Sequence, residues 1–168
     1  MCIRDRHAGD PLIMDATVRM CKAKGVAIGA HPGYPDLMGF GRRAMAVNPA
    51  EAKAYMIYQV GALQAFCDSY GVILQHMKLH GAFYNTACVT PSLADAVLDG
   101  LQAVNPNIAA MVLSGSYIAK EAERRGIPAF PPRHPSARLR CRAGSPAAPG
   151  RCRPIRVCCL LYTSDAAD

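Results

Sequence analysis

Three pairs of a polar residue and a proline, Asp10-Pro11, Asn48-Pro49 and Thr90-Pro91, cut the chain into repeating units. Asp, Asn and Thr side chains accept from the free N–H groups of a first helical turn, and proline suits the first helical position because its missing N–H is not needed there. The first helix is expected from Pro11 to Gly25, with Leu12, Ile13, Ala16, Thr17 and Met20 inward. Asn48-Pro49-Ala50-Glu51 carries the acid that closes a capping box, and Met56, Val60, Leu63 and Cys67 form a buried stripe that ends before Gly71. The third helix turns Leu93, Val97, Leu98 and Leu101 inward, and a short one covers 117–125 before Gly126.

Each helix is followed by a short apolar run: 26–30, 72–77, 108–113 and the start of another at 127–130. These runs are too short and too uniformly apolar for amphipathic helices, so they read as buried strands. Strict alternation of helix and strand predicts an α/β fold with a parallel sheet. Polar motifs directly after successive strands favour a β/α barrel over an open sheet with one crevice. Neither G-x-G-x-x-G nor G-x-x-x-x-G-K-[ST] occurs, so dinucleotide and P-loop sites have no support.

The ends need separate treatment. Residues 1–6 can be encoded ATG TGT ATA AGA GAC AGR, which contains the mosaic end of a transposon-based sequencing adapter, and residues 159–168 match its reverse complement. Both are set aside as non-native. Residues 131–158 hold seven Arg and three Cys but no Lys, Asp or Glu, which fits GC-rich DNA read out of frame. Leu139-Arg140-Cys141-Arg142-Ala143 becomes Phe-Ala-Ala-Glu-Arg one frame over. The alternative for this segment is a disordered basic tail. The domain to interpret is therefore 7–130, read as part of a larger one.

Trimming changes the charge argument. Residues 7–130 carry ten Lys and Arg against nine Asp and Glu, a net of +1, where the whole chain has +7. The basic balance thus gives no support to nucleic-acid or membrane binding. Cys21, Cys67 and Cys88 lie in this region without a C-x-x-C, which fits a reducing compartment and a cytoplasmic location. No apolar run approaches the ~20 residues that span a bilayer.

Three polar segments are expected to meet at the carboxyl ends of the strands: 7–10, 31–43 and 78–85. They bring His7, Asp10, His31, Asp36, Lys78, His80 and Tyr84 to one mouth. Imidazole and carboxylate serve either as general bases or as ligands of a hydrolytic metal, His7 and His31 being the candidate ligands. Lys78 and Arg42 suit an anionic group, and Ser114-Gly115-Ser116 at a helix start suits a carboxylate or phosphate. Simpler uses stand beside these. Asp10 also reads as a helix cap, Asp36 as the fixer of the turn after Pro35, Arg42-Arg43 as a solvated pair, and His76 as a structural strand residue.

His7-Ala8-Gly9-Asp10, Gly29-Ala30-His31-Pro32-Gly33-Tyr34-Pro35-Asp36 with Gly39-Phe40-Gly41-Arg42, and Lys78-Leu79-His80-Gly81-Ala82-Phe83-Tyr84-Asn85 closely resemble the LamB/YcsF family, that of the A subunits of 5-oxoprolinase. The resemblance runs from His7 to about Phe130. It implies a β/α barrel of the glycoside hydrolase/deacetylase type and ATP-dependent opening of the 5-oxoproline lactam to glutamate, with partner subunits B and C. It implies catalytic roles for His7, Asp10, His31, Asp36 and His80, and substrate contacts from Tyr34, Arg42, Lys78, Tyr84, Asn85 and Ser114. ATP, and in the alternative a divalent metal, are the cofactors to consider. The family's first strand, with its Asn-x-Asp-x-Gly-Glu motif, and its closing strands have no counterpart here, so the chain by itself is expected to lack activity. Two other functions remain open: a metal-dependent deacetylase-like hydrolase using His7, His31 and an Asp from the lost first strand, and a subunit that only binds substrate or partner.

Overall fold

The computed structural model describes residues 2–3 and 10–131. His7, the shifted-frame segment 139–143 and the adapter-like residues 159–168 lie outside the described residues. Five parallel strands stand side by side in chain order: β1 (Cys2–Ile3), β2 (Ile28–Ala30), β3 (Leu74–Met77), β4 (Ala109–Met111) and β5 (Ala129–Phe130). Five helices connect them: α1 (Pro11–Lys24), α2 (Pro49–Ser69), α3 (Gly81–Val89) and α4 (Pro91–Val104), both between β3 and β4, and α5 (Tyr117–Arg124). The strand order never reverses, so these strands have no switch point. Right-handed crossovers between neighbours place the helices on one face, giving an arc of a β/α barrel.

β1 is formed by residues set aside as non-native. An open parallel edge offers a row of unpaired N–H and C=O groups, and any short extended segment can satisfy them through its backbone whatever its side chains.

Local chemistry sets the helix ends. Asp10 caps α1 through Ile13 N–H at 2.9 Å, and Gly25 closes it in the left-handed conformation. Asn48 and Glu51 form the reciprocal capping box of α2, each bond 2.9 Å long. Met56, Val60, Leu63 and Cys67 are buried as expected, and so are Leu93, Val97, Leu98 and Leu101. α1 needs a correction. Its buried residues are Met14, Thr17, Val18 and Cys21, while Leu12, Ile13 and Met20 face solvent. Two apolar stripes offset by one residue overlap on this helix, and packing selects between them.

A second correction concerns 78–85, expected as loop throughout. From Gly81 onward the segment is α3, which buries Phe83, Ala87 and Cys88. Tyr84 and Asn85 are therefore helical residues. α5 is pinned to α4 by its C-cap residue Arg125, which pairs with Glu121 in α5 and with Asp95 and Asp99 in α4. Among the described residues, no helix is long and apolar enough to cross a membrane.

Candidate functional site

The parallel pairing of β2 and β3 continues past the strand ends. Lys78 N–H donates to Ala30 O at 2.9 Å and His80 N–H to Pro32 O at 2.8 Å. This extension places the first residues after β2 directly beside those after β3. It gives His31 and His80 their geometry.

The His31 Nδ1 lies 2.7 Å from Lys78 O, and the His80 Nε2 lies 2.6 Å from Phe40 O. A carbonyl can only accept, so each of these ring nitrogens carries hydrogen. The remaining pair, His31 Nε2 and His80 Nδ1, face one another at 3.3 Å. Two bare lone pairs at that distance repel, whereas one proton between them forms a hydrogen bond. A hydrogen bond between these two nitrogens therefore needs hydrogen on one of them. Both rings are buried, 9 % and 5 % exposed.

The loop between β2 and α2 folds over this pair. The Asp36 carboxylate accepts from Gly39 N–H at 2.9 Å and from Arg43 Nε at 2.9 Å, with a further contact to the second Arg43 nitrogen. The Arg43 guanidinium holds the Asp36 carboxyl down at about 2. The Asp36 carboxylate thus organises the turn, the simpler of the two uses its sequence allowed. The turn ends with Phe40 at a positive φ of 53°, a rare conformation for a residue with a Cβ, and its carbonyl receives His80. Gly41 O then accepts Ala82 N–H at 2.9 Å, which ties this loop to the first turn of α3.

Other expected site residues fall in varied places. Asp10 is an exposed helix cap. Lys78 is half-buried, and among the described residues no carboxylate pairs with its ammonium. Arg42 is exposed, its guanidinium 5.9 Å from the centre of the Phe40 ring. Tyr34 is fully buried and stacked on Phe83 with centroids 4.6 Å apart. Its hydroxyl and that of Tyr84 are buried without a hydrogen-bond partner, and burial pushes the Tyr84 phenol up. Asn85 and Ser114 are exposed, and the helix cap after β4 is Ser116, whose Oγ accepts Ala119 N–H. His76 faces Gly29 across β2 and β3, and burial drives its imidazole down to about 4, so it is neutral near pH 7. No group of three or more His, Cys, Asp or Glu side chains suited to a metal occurs among the described residues.

Two contributors escaped the sequence reading. One is the Phe40 carbonyl, which no side-chain motif announces. The other is Gln59 in α2, which sits three residues after Met56 on the face of Met56, Val60 and Leu63. A polar residue inside an otherwise apolar stripe was the available signal.

A model of the LamB/YcsF family matches residues 4–133. The chain belongs to the LamB/YcsF family. Among relatives of this LamB/YcsF chain, a protein of Fusobacterium nucleatum named as the A subunit of 5-oxoprolinase is 62 % identical over 126 residues, covering 75 % of this chain and 49 % of the relative. One of the same name from Clostridium beijerinckii is 52 % identical over 121 residues, covering 72 % and 48 %. The crystal structure of a lactam utilization protein from Thermus thermophilus superposes with a TM-score of 0.70 at 45 % identity, covering 73 % of this chain and 50 % of that one. The chain spans about half the length of the curated relatives it matches, in keeping with an arc of the barrel.

Proposed function

We propose that this chain is part of the A subunit of an ATP-dependent 5-oxoprolinase, and that His31 and His80 move the proton in lactam opening. The observation that carries the reading is the 3.3 Å His31–His80 pair, each outer nitrogen fixed on a carbonyl, at the carboxyl ends of adjacent parallel strands. The names of the relatives, 5-oxoprolinase and lactam utilization protein, supply the substrate class.

A five-membered lactam is an unstrained amide that water attacks slowly. ATP would supply a phosphoryl group to the lactam oxygen, with release of ADP. The histidine pair takes protons from the attacking water and passes them to the ring nitrogen as the C–N bond breaks; this leaves an acyl phosphate, which a second water hydrolyses to glutamate and phosphate. Lys78, beside the pair, holds the substrate carboxylate as a point charge. Subunits B and C complete the enzyme, in a cytoplasmic setting.

The test is ATP turnover by the full-length protein together with its partner subunits. Consumption should depend on 5-oxoproline, and His31→Ala or His80→Ala should lower kcat/KM by about 10²–10⁴-fold, the usual worth of a positioned acid–base group. Substrate-independent turnover, or full activity in both variants, would refute the assignment.

A second reading rests on the same distance. Nitrogens 3.3 Å apart suit two ligands of one tetrahedral zinc ion with bonds of about 2.0–2.1 Å, and carbonyl-bound outer nitrogens are usual behind metal-bound imidazoles. No third ligand joins them among the described residues, and His7, the ligand expected beside His31, lies outside those residues. Stoichiometric zinc in the assembled enzyme, with activity lost to a chelator, would favour it.

A further inference from the structure

Gln59 is 4 % exposed, in the middle of the buried face of α2. Its Oε1 accepts Gly33 N–H at 3.0 Å and its Nε2 donates to Gly33 O at 2.9 Å. One side-chain amide thus satisfies both backbone groups of a buried loop residue, as a neighbouring strand would. The partners also fix the amide's orientation, because an N–H must meet the oxygen and a carbonyl the nitrogen. Gly33 in turn lies against His80. A Cβ built on Gly33 would sit 3.3 Å from both Cβ and Cδ2 of His80. The order of contact is α2 amide, Gly33 backbone, His80 ring, His31 ring.

We propose that Gln59 is a positioning residue for the His31–His80 pair, acting through Gly33 as the backbone wall on which His80 rests. An apolar residue would pack α2 equally well at this point. What the amide adds is a two-point hold on a loop residue beyond the end of β2. Without that hold Gly33 is left with an unpaired buried donor and acceptor, and the loop relieves this by moving them toward water. His80 then loses its wall, and its Nδ1 no longer keeps a fixed distance to His31.

This inference rests on reading the two histidines as the reacting pair, but its test does not depend on turnover. Imidazole ring-nitrogen NMR of the 168-residue chain reports which nitrogen of each histidine carries hydrogen. In the unaltered chain His31 should show Nδ1–H and His80 Nε2–H. Gln59→Met keeps the length and bulk of the side chain and removes both hydrogen bonds. It should replace the single-tautomer pattern of His80 by an averaged one, while the His76 ring, deeper in the sheet, keeps its signals and reports an intact fold. Gly33→Ala probes the same wall from the other side with Gln59 untouched. Gly33 is outside the left-handed region, and the nearest atoms to an added alanine Cβ are Cβ, Cδ2 and Cγ of His80. It too should shift the His80 signals. Unchanged His80 signals in folded Gln59→Met overturn the proposal. If that variant fails to fold, unchanged His80 signals in Gly33→Ala overturn it. Loss of the His80 pattern in an assembled enzyme that never turns over 5-oxoproline would leave the positioning intact and remove only the assigned reaction.

Discussion

Gly81 joins the two halves of the site, and replacing it should cost more than its backbone angle alone explains. It has φ +58°, and a Cβ there would lie 2.4 Å from Gly41 O and 3.0 Å from Gly41 C. Gly71, just past α2, has nearly the same angle, +61°, with nothing within 4 Å. Alanine at either position pays the left-handed penalty of about 1–2 kcal/mol. At Gly81 it also meets backbone. Gly41 must retreat by about 1 Å to restore ordinary contact, and overpacking of this kind costs about 1–3 kcal/mol more. The retreat lengthens the Ala82 N–H bond to Gly41 O, now 2.9 Å, and shifts the neighbouring Phe40 carbonyl off the His80 Nε2. Gly71→Ala should therefore lose about 1–2 kcal/mol and Gly81→Ala about 2–5. At roughly 3–6 °C per kcal/mol for a domain of this size, the two Tm values should differ by about 5–15 °C in thermal melts of the chain. Only Gly81→Ala should disturb the His80 ring signals. Equal melting temperatures together with unchanged His80 signals would refute the idea that the two loops are locked through Gly41.

Two more outcomes follow from the same contacts. The folded Asp36 carboxyl sits at about 2, below its ordinary 3.8, chiefly through the Arg43 hydrogen bonds. Its contribution is thus complete above about pH 4, fades as pH falls toward about 2, and is lost below that. The Gly39 amide signal should follow this course, and a transition between about pH 5 and 7 would contradict the assignment of Asp36 to the turn. Gly100→Ala should destabilise, although alanine is the better helix former by about 1 kcal/mol. Its Cβ would stand 2.6 Å from Met56 Cβ and 3.0 Å from Lys53 O, atoms that move only if α4 leaves α2. A net loss of about 1–2 kcal/mol in urea unfolding is expected, and a gain would show that the helices separate freely.

The parts of the fold legible in the sequence are those made by bonds between residues three or four apart. Asp10 and Asn48 cap the helices they precede because their partners, Ile13 and Glu51, are three positions on. The buried stripes of α2 and α4 follow from spacing alone. The site was legible only as a list. His31, Asp36, Lys78 and His80 were named, but turn fixer and proton carrier use the same side chains. Asp36 became a turn fixer because Arg43 lies within reach of its carboxylate, and Tyr34 became core because Phe83 stacks on it.

The sequence by itself determined strands β2 to β5, the capped helix starts and the family, since each is carried by neighbours along the chain; α3, which has no side-chain cap, was not among them. Tertiary structure decided everything that depends on which residues meet across the sheet. The register of β2 on β3 runs on into the loops and sets His31 beside Lys78 and His80. A helix residue twenty-six positions away holds Gly33, and a carbonyl forty positions away orients His80. A backbone carbonyl has no signature in a sequence, and the pairing of distant segments is settled by packing energy summed over the whole core. The geometry of the site therefore became definite only once the strands were side by side.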